Sequence, residues 1–101
     1  MATKTILTNE QVAKAIYVDA DFDSDILEGY AKAASSLIRN KTGYDFAEDE
    51  VIEPLAVLCA ELYIRQIHFG SDGYNKEHDY NIGISGLLKT LEDIAHAKDI
   101  I

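Results

Sequence analysis

The sequence has no tryptophan, one proline, one cysteine and one methionine. With Cys59 alone, intrachain disulfides and paired-cysteine metal motifs are excluded, and a reducing compartment is the natural setting. Cys59 falls inside an apolar helical stretch and reads as a small buried hydrophobe. Basic residues are also scarce: 9 Lys and Arg stand against 18 Asp and Glu, a formal net charge of -9. That balance disfavours binding to a nucleic-acid backbone, where affinity comes from neutralising phosphates. No apolar run is long enough to cross a bilayer, and the opening MATKTILTNEQ has no signal-peptide core, so a soluble, non-exported protein without a membrane partner is expected. There is no Gly-rich phosphate loop, no HExxH and no serine or cysteine set in a nucleophile motif. The many carboxylates lie at helix starts and on solvated faces, and no general acid/base pair stands out. Neither an enzyme nor a cofactor site is expected.

What is present is a helical pattern. A chain of 101 residues with 48% hydrophobic content supports one domain with a single core, small enough for association to add useful burial. The stretch VIEPLAVLCAELYIRQIHF, residues 51–69, is apolar on nearly every side of a helical wheel and reads as the buried centre. Val51, Leu55, Leu58 and Leu62 recur at helical spacing, and Val57, Cys59, Tyr63, Ile64 and Ile67 widen the surface. Glu61, Arg65 and His68 form a narrow polar seam in which Glu61 and Arg65 are placed for an ion pair. Pro54 suits the first helical turn, Gly70 a left-handed C-terminal cap, and a start between Asp49 and Glu53 follows.

The other elements are arranged to cover that centre. Thr8 and Gln11 have capping-box spacing and predict a short helix over residues 9–17, with Val12, Ala15 and Ile16 as its stripe. Asp19, Asp21, Asp23 and Asp25 alternate like the start of a calcium loop. An EF-hand beginning at Asp19 would put Ser24 where glycine is needed and Tyr30 where a bidentate glutamate should close the shell. The better reading is an acidic turn in which Asp23 or Ser24 caps a helix over residues 24–42. Gly43 ends that helix, Tyr44 and Phe46 make a connector, and the acidic run 48–50 suits the start of the central helix. Residues 71–83 read as a long polar loop. His68, His78 and Asp79 lack the spacing that sets two metal ligands on one helix face. Ser85 caps a last helix to about residue 98, with Leu87, Leu88, Leu91, Ile94 and Ala95 on one stripe that either completes the core or faces a partner. The expected fold is all-α, a compact bundle of about four helices with long second and third helices and a loop before the C-terminal one.

Three segments, ILTNEQVAKAIYVDADFDSDILEGYAKAASSLIRNKTGYDF, PLAVLCAELYIRQ and NIGISGLLKTLEDI, resemble the small head-tail connector proteins of long-tailed bacteriophages and prophages, the head-completion adaptors below the portal. In that family a short helix leads through an acidic turn into a long helix ending at a Thr-Gly pair, here Thr42-Gly43. A very apolar helix starting near a proline, a variable loop and a leucine-rich last helix follow. Tyr44 departs from the basic residue that often follows the pair, and Asn81-Ile82-Gly83 lacks the proline often seen before the last helix. The resemblance implies a structural virion protein at the head-tail junction, held in the host cytoplasm before assembly. Its implied partners are the portal protein, the next head-tail connector or stopper protein, and copies of itself in a ring, with DNA only as passing cargo. An acidic channel wall would let DNA slip past. The implied contacts fall on residues 71–83 and the last helix, with Tyr74, Tyr80, Ile82, Ile84, Leu88 and Leu91 as candidates. A different class of function is a small acidic helical decoy that mimics DNA, for which carboxylates should be spaced like phosphates rather than gathered at helix starts. An enzyme or metal-binding regulator is the remaining class.

Overall fold

The first three helices each begin or end where a particular residue satisfies backbone groups that the helix leaves unpaired. In the computed structural model, which describes residues 4–19, 21–69 and 80–99, α1 (Asn9–Ala15) starts with the expected capping box. The Gln11 amide N–H donates to Thr8 Oγ1 at 3.2 Å and Thr8 N–H to Gln11 Oε1 at 2.8 Å. Asp23 caps α2 (Ser24–Thr42) through the Asp25 N–H at 3.0 Å. At its other end Gly43 takes the left-handed conformation, φ 77°, and its N–H closes on the Arg39 carbonyl at 2.8 Å. Thr42, buried beside it, donates its hydroxyl to the Ile38 carbonyl at 2.7 Å and accepts from the Tyr44 N–H at 3.2 Å. The Thr-Gly pair is thus a stop signal with a mechanism: glycine turns the chain, and threonine satisfies the groups exposed by the turn.

A 3₁₀ turn (Phe46–Glu48), capped by Asp45, drives Phe46 into the core. Helix α3 (Pro54–Phe69) then starts with proline in the first position, its first turn held by Glu53, whose carboxylate accepts from Leu55 N–H at 3.3 Å. Helix α4 (Tyr80–Asp99) closes the chain, and no strand occurs among the described residues. The protein is an all-α bundle of four helices.

Packing follows a narrow seam. Helix α2 buries Leu27, Ala31, Ala34 and Ile38, spaced four, three and four apart, and α4 buries Ile84, Leu91 and Ala95 in the same rhythm. That spacing keeps one stripe facing a neighbour along the whole helix. Helix α3 touches each of the other three helices and fully buries Ala56, Cys59, Ala60 and Ile64. The Tyr30–His68, Leu62–Gly83 and Asp49–Lys98 neighbours set α3 antiparallel to both α2 and α4.

Several expectations are corrected. The deepest positions of α3 are its small residues, because close helix approach needs them, and the larger leucines flank the seam; Leu58 is 43% exposed. Val51 lies before the helix and is 83% exposed. Helix α1 stops at Ala15 rather than Tyr17. Helix α4 starts at Tyr80 rather than Ser85, so Ser85 is an exposed helical residue instead of a cap, and residues 80–83 belong to the helix. Gly83, read as a loop residue, is helical and lies beside α3: a Cβ there would make ordinary van der Waals contact with Leu62 Cδ1, at 3.5 Å. Asp49 does not serve the start of α3 but pairs with Lys98 Nζ at 3.5 Å. Arg65 turns away from Glu61, with which it forms no ion pair among the described residues, toward the end of α1. Gly70 lies outside the described residues.

The two exposed glycines of α2 and its cap should respond oppositely to one methyl group. At Gly29 a Cβ meets nothing within 4 Å, so Gly29→Ala is expected to stabilise by about 0.5–1 kcal/mol through helix propensity. At Gly43 the left-handed backbone makes Gly43→Ala cost about 1–2 kcal/mol. Urea unfolding of the two variants checks both signs.

Candidate interaction surface

The end of α1 is built in an unusual way. Tyr17 N–H donates to the Lys14 carbonyl at 3.3 Å and Val18 N–H to the Ala13 carbonyl at 3.0 Å. This is the paired bonding of a Schellman ending, whose turning position is ordinarily glycine. Here Tyr17 occupies it at φ 60°, the only non-glycine residue at positive φ among those described. A side chain in that region costs about 1–2 kcal/mol, so the phenol is held in place against a backbone preference.

What holds it comes from α3. Arg65 Nε donates to the Ala15 carbonyl at 2.9 Å, satisfying an end group of α1, and its guanidinium lies 5.8 Å from the centre of the Tyr17 ring. Phe69, on the same side of α3 one turn later, sits with its ring 6.1 Å from Tyr17. His68 packs edge-on to Phe69 at 4.7 Å and edge-on to Tyr30 of α2 at 5.8 Å, and its Nδ1 is 3.1 Å from the Tyr30 hydroxyl. Rings therefore run without a break from α1 across α3 to α2. Much of this surface is open to solvent: Tyr17 is 77% exposed, Phe69 38% and Ile26, one turn before Tyr30, 41%.

At the opposite end of the bundle Val51 is 83% exposed, but the aromatic groups there are covered. Tyr44 stacks edge-on to the buried Phe46, donates its hydroxyl to Asp49, and is covered by the Lys98 ammonium 5.3 Å from its ring. The exposed aromatic rings thus gather at the Tyr17 end, where α3 ends and α4 begins. Aromatic rings with an arginine between them are the composition of interface centres.

The candidates read from sequence are distributed unequally. Tyr80 and Ile82 fall in the first turn of α4, at the open end, whereas Tyr74, His78 and Asp79 lie outside the described residues. Ile84 and Leu91 are buried in this chain's own core and Leu88 is half-buried against it. Ile84 and Leu91 are thus core residues of this chain, with little surface left to meet a partner. From sequence Arg65 reads only as the ion-pair partner of Glu61, and Tyr17 and Phe69 carry no contact assignment. The available signal was indirect: α1 ends without a glycine, so a larger residue has to turn the chain.

No group of three His, Cys, Asp or Glu side chains gathers among the described residues, and every buried side-chain polar atom described has a partner. No helix among the described residues is long and apolar enough to cross a membrane. No protein-family model, curated protein or solved structure matches this chain.

Cys59 is fully buried in α3, and desolvation raises its pKa from 9.0 to about 11. The folded state therefore holds the thiol proton more tightly than the unfolded state does. This contribution to stability is complete below pH 9.0 and is lost as pH rises toward about 11. Relative to wild type, Cys59→Ala is expected to show a flatter decline of stability across that window, and the native thiol should react with a disulfide reagent only on unfolding.

Proposed function

We propose that this protein works by binding rather than catalysis, as a structural adaptor that assembles into a ring between the portal and the tail-side connector of a phage or prophage particle. The open aromatic end carries the reading. Tyr17 is retained at a glycine position and left exposed, which is explained if its ring meets another protein. The ordered pattern of caps, the Thr42-Gly43 stop and the apolar third helix agree with the sequence resemblance to head-completion adaptors. In this role the exposed rings of Tyr17 and Phe69, at the end of the bundle where α3 finishes, face the portal or the next connector. DNA passes as cargo, repelled by a surface with a net charge of -9.

Mass-resolved sizing of the protein alone, and mixed with the portal protein encoded beside it, is the direct test. The expected result is a complex holding several copies per portal assembly; no complex overturns the reading. Tyr17→Asn sharpens it, since asparagine tolerates the left-handed backbone. The variant is expected to keep its stability within about 1 kcal/mol and to bind the portal roughly tenfold more weakly or worse.

A further inference from the structure

We infer that a basic recess beside the middle of α2 receives the acidic turn of a second copy of this chain, making the contact between subunits head-to-tail. The inference rests on the ring reading and gives it a specific joint.

The recess, about 150 Å³, is lined by Lys4, Lys32, Ser36 and Arg39, with Asp45 as its single carboxylate. In a chain with only 9 basic residues, this gathers Lys4, Lys32 and Arg39 in one place. Its floor is fixed before any ligand arrives. Ile6 N–H donates to Ser35 Oγ at 2.8 Å, Thr5 Oγ1 donates to the Leu7 carbonyl at 2.6 Å, and Ile6 and Leu7 are buried. The cations are loosely engaged. Lys4 is 4.0 Å from Glu48 and Lys32 is 3.2 Å from Glu28, both pairs more than half exposed and therefore readily exchanged for a better partner. Arg39 has no ion pair among the described residues.

The complementary group is in the same chain but out of its own reach. Asp19 and Asp21 are exposed in the turn before α2, and neither is in an ion pair among the described residues. Asp23 is occupied as the cap of α2. At about 1.5 Å per residue the helix rises roughly 12 Å from Ser24 to Lys32 and roughly 22 Å to Arg39, which sets the turn along the helix from the recess of its own subunit. A second copy can bring its turn to that recess, with Arg39 offering a planar fork to a carboxylate. Phe22, exposed in the same turn, adds an apolar contact beside the charges. Because the two surfaces differ, the contact is heterologous, the kind that generates a ring when its rotation closes.

Charge exchange tests it on the full chain. Sizing is done near physiological ionic strength, alone and with the portal protein, for the wild type, for Lys32→Glu with Arg39→Glu, and for Asp19→Lys with Asp21→Lys. Helical content by circular dichroism confirms that each variant folds. Each double variant is expected to self-associate roughly a hundredfold more weakly than the wild type, and mixing the two should restore assembly, since both junctions of the mixture are again opposite in sign. If the variants assemble as the wild type does, this joint is wrong and the ring reading stands. If the wild type assembles neither alone nor on the portal, both fail. If the Lys32→Glu, Arg39→Glu variant assembles normally but loses retention on DNA, the recess is a phosphate site and the inference is overturned.

Discussion

Close approach of three helices to α3 is the constraint on which the rest of this structure depends. It is met by Ala56, Cys59 and Ala60, which present little bulk along the line of contact and are fully buried, with Ile64 filling the space beyond them. Ala31 and Ala34 on α2 and Ala95 on α4 do the same from the other side. Short side chains bring helix axes together, and the longer ones beside them, Leu55, Val57, Leu62 and Tyr63, then cover the joint. The large buried side chains Phe46, Leu27, Ile38, Ile64 and Leu91 fill the space beside these small ones, so truncating them would leave cavities.

That packing divides the molecule into two ends with different properties. At the α2–α3 connector, Tyr44, Phe46, Asp49 and Lys98 lock the C-terminal part of α4 by stacking, a charge pair and a hydrogen bond, one group covering another. At the other end Tyr17, Phe69 and His68 are ordered by Arg65 and Tyr30 yet remain open to water. Ordered aromatic groups lose little entropy on binding, so a surface prepared in this way suits a partner better than a flexible one would. The buried Ile84 and Leu91 supply the counterpart: by holding α4 against the bundle they fix where its first turn emerges.

Local signals made much of this fold legible. The Thr8–Gln11 capping box, the Asp23 cap, the Gly43 stop and Pro54 at a helix start each act through neighbours in sequence, and each lies where its chemistry requires. Misreadings arose where a distant group decided. Gly83 reads as the end of a loop, but α4 runs through it and lies against α3, which outweighs a propensity cost of about 1 kcal/mol. Arg65 has an ideally placed glutamate one turn away and still chooses a carbonyl of α1, because an otherwise unpaired backbone group in a half-buried site gains more than an exposed ion pair. The aromatic end was invisible for the same reason: Tyr17, Tyr30 and Phe69 are far apart in sequence and meet only once the helices are packed.

Charge sets the last condition on assembly. Each subunit in the proposed ring brings a net charge of -9, and pairing a carboxylate with a lysine across a joint leaves that total unchanged. Repulsion between whole subunits is long-ranged and screened over about 8 Å at physiological ionic strength, while a carboxylate against Arg39 acts at contact distance and is screened less. Very low salt therefore strengthens the repulsion more than the joint, and very high salt weakens the joint itself. A ring built this way forms best at intermediate ionic strength, or on a template that holds the copies at high local concentration. In the proposed role the same surplus would both delay self-association and keep the finished surface from gripping DNA, so that one property of the sequence would serve the timing of assembly and the passage of the cargo.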